Sequence, residues 1–426
     1  MKIKLLQFAV FVSCISMLTT SCKKEALDSS NFSKNNGVKI VSPPPRVQLG
    51  SPSSKIIAKA GATSKLDEFS NYLSKKIAGA KANGNAVVPS ECGPTAFDKV
   101  IEKYISKFGP LEFALYNEYV AINQLATIID MTKQYFGAKG QYTPIVVKNQ
   151  KNLEDFWKMY NEVRINGEHN STLNDREKIA EVYVLFAGLS PEEAYLIADE
   201  IIAINKESEV FIETPLLSFD AFASPDNLIV IGDGIIQGLS ETGVESRVVI
   251  GGVVSHEWGH QIQFNNSKKW FGYEFEGWPF TAEFTRFTEM EADCFSGYYL
   301  THNKGAAYNW KKIAQFLYLF YTIGDCGFTS PGHHGTPYQR FAASRLGFLI
   351  AELTFPRSKV LSADQVHQLY SVGYECIIKN SITSQQALAS LKTDELKAMF
   401  RKILLHRLEL QSIANGRFSK SIIENL

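Results

Sequence analysis

The sequence predicts an α+β fold that is predominantly helical, with a small sheet beside one long buried helix. Three observations predict it. Apolar residues recur at three- and four-residue steps over 65–80, 96–108 and 111–136, the spacing of one helix face. Short β-branched runs bounded by turn residues stand at 209–213 and 228–231, just ahead of an apolar stretch that opens at Val248. After residue 355 the helical period returns.

The chain opens on a targeting pattern. Lys2 and Lys4 precede a mostly apolar run from Leu5 to Leu18 that is too short to span a bilayer. Thr19, Thr20 and Ser21 then lead to Cys22, and Leu-Thr-Thr-Ser-Cys resembles a loose bacterial lipobox. That resemblance implies a lipoprotein signal over 1–21 and a lipid on Cys22. The chain would then be a lipid-anchored protein of the bacterial cell envelope, facing the periplasm or the cell exterior. Simple secretion with cleavage nearby is the alternative. Residues 22–62, rich in Ser, Lys, Asn and Pro, have no sustained period and read as a disordered tether.

The remainder divides into a helical N-terminal region (63–205), a core (206–355) and a helical C-terminal region that packs on the core (356–426). Ser190-Pro191-Glu192-Glu193 opens one helix with an N-cap, Pro at the first helical position and Glu at the third. Ser362-Ala363-Asp364-Gln365 is a capping box, and 393–408 reads as one helical segment. Lys plus Arg and Asp plus Glu are balanced at 44 each, and no basic block points to nucleic acid. Past Cys22 four cysteines remain: Cys92, Cys294, Cys326 and Cys376. An oxidising compartment permits disulfides among them, and a Cys294–Cys326 bridge would tie the 324–335 loop to its neighbour. Buried free thiols are the alternative.

The chemistry concentrates at His256-Glu257-Trp258-Gly259-His260, an H-E-x-x-H pattern in a chain with only 8 His. Histidines at i and i+4 share one helix face and can reach one zinc ion. The adjacent glutamate is placed to take a proton from an activated water. Val248, Val249, Ile250, Val253, Val254 and Ile262 make the flanks apolar, as a buried helix requires. Gly251 and Gly252 allow a neighbouring element to approach one turn before His256. A core helix with two hydrogen-bonded histidines is the competing reading.

Catalytic zinc takes three protein ligands and leaves one position open. Glu289-Met290-Glu291-Ala292-Asp293 offers the third. Glu289 and Asp293 share a helix face, so Glu289 can bind metal while Asp293 orients a liganding histidine. Glu291 points roughly 160° away from Glu289 at helical pitch.

H-E-x-x-H followed by E-x-x-x-D resembles the glutamate-zincin metallopeptidases. Residues 220–234, with Asp220-Ala221-Phe222-Ala223-Ser224-Pro225 and Ile229-Val230-Ile231-Gly232, are similar to a segment of the prenyl-protein protease and heat-shock membrane protease family. His334-Gly335-Thr336-Pro337-Tyr338-Gln339-Arg340 and Met290-Glu291-Ala292-Asp293-Cys294 resemble stretches of the bacterial neutral zinc metallopeptidases. The likeness covers 219–345. It implies a zincin-type catalytic unit, a zinc (Zn2+) cofactor on His256, His260 and Glu289, and Glu257 as general base. It further implies an edge strand at 228–232 that pairs with extended substrate, His334 as an oxyanion donor and Arg340 as a loop anchor. Tyr273 and Tyr338 are further donor candidates. The expected activity is zinc-dependent hydrolysis of peptide bonds in a peptide or protein substrate. The alternative is a lipid-anchored chaperone or assembly factor on the same fold with latent peptidase activity.

Overall fold

A computed structural model describes residues 94–279, 281–324 and 334–416. The expected leader, the expected tether, the helix expected at 65–80, Cys92 and Cys326 lie outside the described residues.

The described residues are mainly helical, with one three-stranded sheet among them. Helices α1 (Ala96–Ile105), α2 (Pro110–Ile129) and α3 (Thr143–Trp157) come first. α2 stops at Ile129, short of the expected 136. Asp130 turns the chain extended, and its carboxylate accepts from Thr132 and Lys178. The carbonyls freed at the end of α2 are taken by Asn166, which donates to Thr127 and Asp130, and by Arg164.

Those two residues belong to β1 (Arg164–Glu168). Helices α4 (Arg176–Ala187), α5 (Pro191–Glu207) and α6 (Glu209–Glu213) follow, then β2 (Ala221–Ser224) and β3 (Leu228–Gly232). Ser190 caps α5 with the expected capping box. The strand expected at 209–213 is helical instead. The Ser208 hydroxyl caps Phe211 N–H at 3.0 Å and donates to buried Glu112 at 2.6 Å, which outweighs a β-branched run of this length.

The sheet order is β1-β3-β2, with β1 parallel and β2 antiparallel to β3. β3 is therefore the central strand, buried along its whole length and paired on both sides. This corrects the edge-strand expectation: 228–232 has no free backbone row for a substrate. β1 fills the place because Asn166 and Arg164 are bound to the end of α2. Nothing in Arg-Ile-Asn-Gly-Glu marks it as a strand locally.

After α7 (Asp233–Ser240) comes α8 (Ser246–Phe271), which carries the H-E-x-x-H residues and ends on Gly272 at φ +80°. Gln261 on α8 donates to the carbonyls of Ser224 and Leu228, at 2.9 and 3.0 Å. These two bonds hold the β2–β3 hairpin against the helix. Gly251 and Gly252 do admit neighbours: β-carbons there would stand 2.2 Å from the Tyr308 hydroxyl and 2.6 Å from Leu319.

α9 (Ala282–Thr301) and α10 (Trp310–Thr322) pack on α8, and α11 (Pro337–Leu353) packs on both of them. α9 and α11 touch backbone to backbone, because β-carbons at Gly297 and Gly347 would lie 2.4 Å from the Ser344 carbonyl and 2.1 Å from the Cys294 carbonyl. α12 (Ala363–Gly373) starts on the Ser362 capping box and runs into a π turn at Tyr374–Ile378. α13 (Ser384–Ser390), α14 (Asp394–Leu404) and α15 (Arg407–Ala414) end the described chain, so 393–408 is two helices rather than one. One hydrophobic core runs from Phe97 through the α8 and α9 residues to Ala414. Cys294 and Cys376 are buried free thiols. Among the described residues no helix is long and apolar enough to cross a membrane.

Candidate metal centre

The site is built where α8 crosses α9. Gly259 makes the crossing close: a β-carbon there would meet Ala292 Cα at 3.0 Å and Ala292 Cβ at 3.2 Å. Glu289 lies three residues before Ala292 and Asp293 directly after it, so both are carried to the histidines of α8. One turn back along α8 and one turn forward along α9, the Ser255 and Ser296 hydroxyls meet at 2.5 Å and hold the same register.

His256 and His260 stand one turn apart, with ring centroids 4.9 Å from each other. The Glu289 carboxylate lies between them. Its Oε1 is 3.2 Å from His260 Nε2, and its Oε2 is 3.5 Å from His256 Nε2. His256, Glu257, His260 and Glu289 are 3%, 2%, 7% and 5% exposed, so their polar atoms must find partners inside the protein.

Does this arrangement fit a metal? Zinc bound to nitrogen and oxygen at about 2.1 Å in a tetrahedron has ligand atoms about 3.4 Å apart. The two measured separations bracket that distance. Among the described residues, His256, His260 and Glu289 form a group whose three ligand atoms all lie within 4.8 Å of one another. The donor set of two imidazoles and one carboxylate is a zinc set with one position left open. The residues present fit the ion.

Both histidines are also held from behind. His256 Nδ1 lies 2.8 Å from Asp293 Oδ1. Asp293 in turn receives a two-pronged bond from Arg340 on α11, Nε to Oδ2 and Nη2 to Oδ1, each 2.7 Å. Burial pushes the Asp293 carboxyl up, but the Arg340 guanidinium and His256 outweigh it and hold it below the usual carboxylate value. On the other side His260 Nδ1 lies 2.8 Å from Gln263 Oε1. Contacts of this kind fix a tautomer and a ring angle, and leave Nε2 for the metal.

Glu257 follows His256 directly and precedes His260 by three residues, on the adjoining helix face. His334 lies on a half-buried segment before α11. The next residue, Gly335, sits at φ +103° where a β-carbon would meet Met290 of α9 at 3.2 Å. Residues 325–333 of the expected loop lie outside the described residues. Arg340 is placed to anchor Asp293, rather than a loop alone. Tyr273 is half exposed beyond the end of α8, and Tyr338 packs edge-on against Tyr321 at 5.3 Å. Burial and the neighbouring Glu291 and Asp293 carboxylates push the Cys294 thiol well up, which leaves it an inert core group.

Sequence reasoning missed Gln263. Its spacing from His260, i to i+3, was a usable signal. It also missed the partner of Glu291, which lies 76 residues away on α12 and has no local signal.

No family model, no curated protein and no solved structure matches the chain.

Proposed function

We propose that this chain is a zinc-dependent peptidase. The observation that carries the reading is the pair of 3.2 and 3.5 Å contacts that place one buried carboxylate against the Nε2 atoms of two histidines whose Nδ1 atoms are each held by another side chain. His256, His260 and Glu289 would hold the ion. When bound, zinc supplies an acidified water near neutral pH and a Lewis acid for a carbonyl oxygen.

The chain's own groups do the rest. The Glu257 carboxylate accepts the proton of the attacking water and returns it to the leaving amine nitrogen. Asp293 and Gln263 keep both imidazoles in the tautomer with Nε2 unprotonated. Arg340 neutralises the Asp293 charge, so His256 meets a fixed dipole rather than an uncompensated anion. His334, next to the turn that packs on α9, is the donor proposed for the developing oxyanion. A peptide or protein is the proposed substrate, and the lipid-anchored envelope location expected from residues 1–22 stays part of the proposal.

The test is metal content and turnover measured together on protein purified without chelator. About one zinc per chain and cleavage of a quenched-fluorescent peptide library are expected. Glu257→Gln should keep the zinc and lose cleavage by about 10²-fold or more. Glu289→Ala should lose the zinc. A chain that takes up no zinc from a dilute solution, or a Glu257→Gln variant with full turnover, defeats the reading.

A further inference from the structure

The second histidine is backed by more than one residue. Gln263 has two amide hydrogens and one carbonyl oxygen to place. Its Nε2 donates to the Thr288 carbonyl at 2.7 Å and to Glu291 Oε2 at 3.0 Å. Both partners accept, so the amide cannot turn over without setting its oxygen against two other oxygens. Oε1 is thereby committed to His260, 2.8 Å away, and His260 Nδ1 must carry a hydrogen.

Glu291 has its own tether. Its Oε1 lies 2.6 Å from His367 Nδ1. The carboxylate is fully buried, and the His367 side chain is 14% exposed. The His367 ring stacks on Trp270 of α8, with centroids 4.1 Å apart and planes 4° apart, and Trp270 Nε1 donates to Asp364 at 2.7 Å. Asp364 and His367 both ride on α12, the helix opened by the Ser362 capping box. The C-terminal region therefore reaches the site through a continuous chain: His367, Glu291, Gln263, His260.

We infer that His367, Glu291 and Gln263 are positioning residues that fix the tautomer of His260 and, on the reading proposed above, hold it ready for metal. His367 keeps Glu291 in place. Glu291 and Thr288 keep the Gln263 amide from flipping. Gln263 keeps the proton on His260 Nδ1 and the lone pair on Nε2, which faces Glu289 at 3.2 Å. Outer partners of this kind are worth 10- to 100-fold in metal affinity.

The experiment uses the full chain labelled with ¹⁵N-histidine. With 8 histidines, the ring signals can be assigned by substitution. In the metal-free protein His260 is expected as the Nδ1–H tautomer. Glu291→Gln and His367→Ala are expected to mix the tautomers, lower zinc affinity by 10- to 100-fold in a chelator competition, and shift the visible bands of the cobalt-loaded protein. His367→Gln keeps a donor for Glu291 and should restore affinity to within about threefold of the parent. An Nε2–H tautomer in the parent protein overturns the inference outright. So does a Glu291→Gln and His367→Ala pair that keeps the parent tautomer and affinity within twofold, which would make these contacts an ion pair of the core. If the parent binds no zinc, the proposed function fails, while the tautomer measurement still decides the relay.

Discussion

Replacing Arg340 by Met strips a buried carboxylate of its two guanidinium bonds, leaves it the 2.8 Å contact with His256 Nδ1, and keeps the remaining shape roughly filled. Asp293 is fully buried, and the guanidinium supplies two of its contacts at 2.7 Å each. Breaking one partner of such a pair costs about 3–5 kcal/mol. A second route caps the loss. Asp293 can take up a proton, which at pH 7 costs a carboxyl of ordinary value about 4 kcal/mol. The expected loss is thus about 3–4 kcal/mol, a large part of the roughly 5–15 kcal/mol that holds a protein folded.

The sign with pH follows. In the parent the folded Asp293 value is depressed, so its contribution is present above the unfolded value near 3.8 and fades as pH falls below it. In the variant the stranded Asp293 takes its proton more cheaply as pH falls, so the deficit of Arg340→Met should shrink from pH 7 toward pH 4. Adding Asp293→Asn removes the stranded charge and should recover at least about 2 kcal/mol, a coupling far outside the ~0.5 kcal/mol of independent sites. The assay is guanidinium denaturation of the metal-free chain in chelator, for the parent, both single variants and the double. A loss below about 1 kcal/mol, or additive single losses, would refute the reasoning.

Other outcomes test other parts of the molecule. Gly259→Val should cost about 2 kcal/mol or more, since even a β-carbon stands 3.0 Å from Ala292 Cα. It should also weaken zinc binding by spreading α8 from α9, and a Val variant with parental stability and affinity would contradict the crossing geometry. Burial pushes the Glu118 carboxyl from 4.5 up to about 7, against the hydrogen bond from Tyr183 at 2.9 Å. Its contribution to stability is full below the unfolded value near 4.5 and is lost as pH rises through 7, by up to about 3 kcal/mol. Urea titrations of Glu118→Gln should show a gain of about 2–3 kcal/mol over the parent at pH 8 and none at pH 4, and equal curves at pH 8 would exclude that burial penalty.

Where the sequence was informative, the determinants were local. Ser190 and Ser362 each bond the backbone N–H three residues on, so four letters suffice to place the start of α5 and of α12. The i, i+4 spacing puts His256 beside His260, and Glu289 beside Asp293, whatever the rest of the chain does. The failures have distant partners. β1 is a strand because Asn166 and Arg164 reach the end of α2, more than thirty residues back. With β1 in place β3 has no open edge, and a resemblance confined to 219–345 could not see a neighbour that enters from 164–168. Glu209–Glu213 bends into a helix because Glu112, 96 residues away, receives the Ser208 hydroxyl. Gln263 lay within the reach of pattern reasoning, whereas His367 did not.

α9 is buried without a break from Thr288 to Thr301, and that stretch carries three acids, Glu289, Glu291 and Asp293. Two of their partners are made later: Arg340 lies 47 residues beyond Asp293, and His367 lies 76 residues beyond Glu291. A chain that emerges from its N-terminus at about 5–20 residues per second therefore waits roughly 2 to 9 seconds for the partner of Asp293 and roughly 4 to 15 seconds for that of Glu291. In that interval α9 cannot dry out against α8 without carrying the Asp293 and Glu291 carboxylates into the core short of a partner each. The H-E-x-x-H helix is complete long before the centre is. Assembly of the site waits on the C-terminal helices, which makes the centre one of the last parts of a newborn molecule to form.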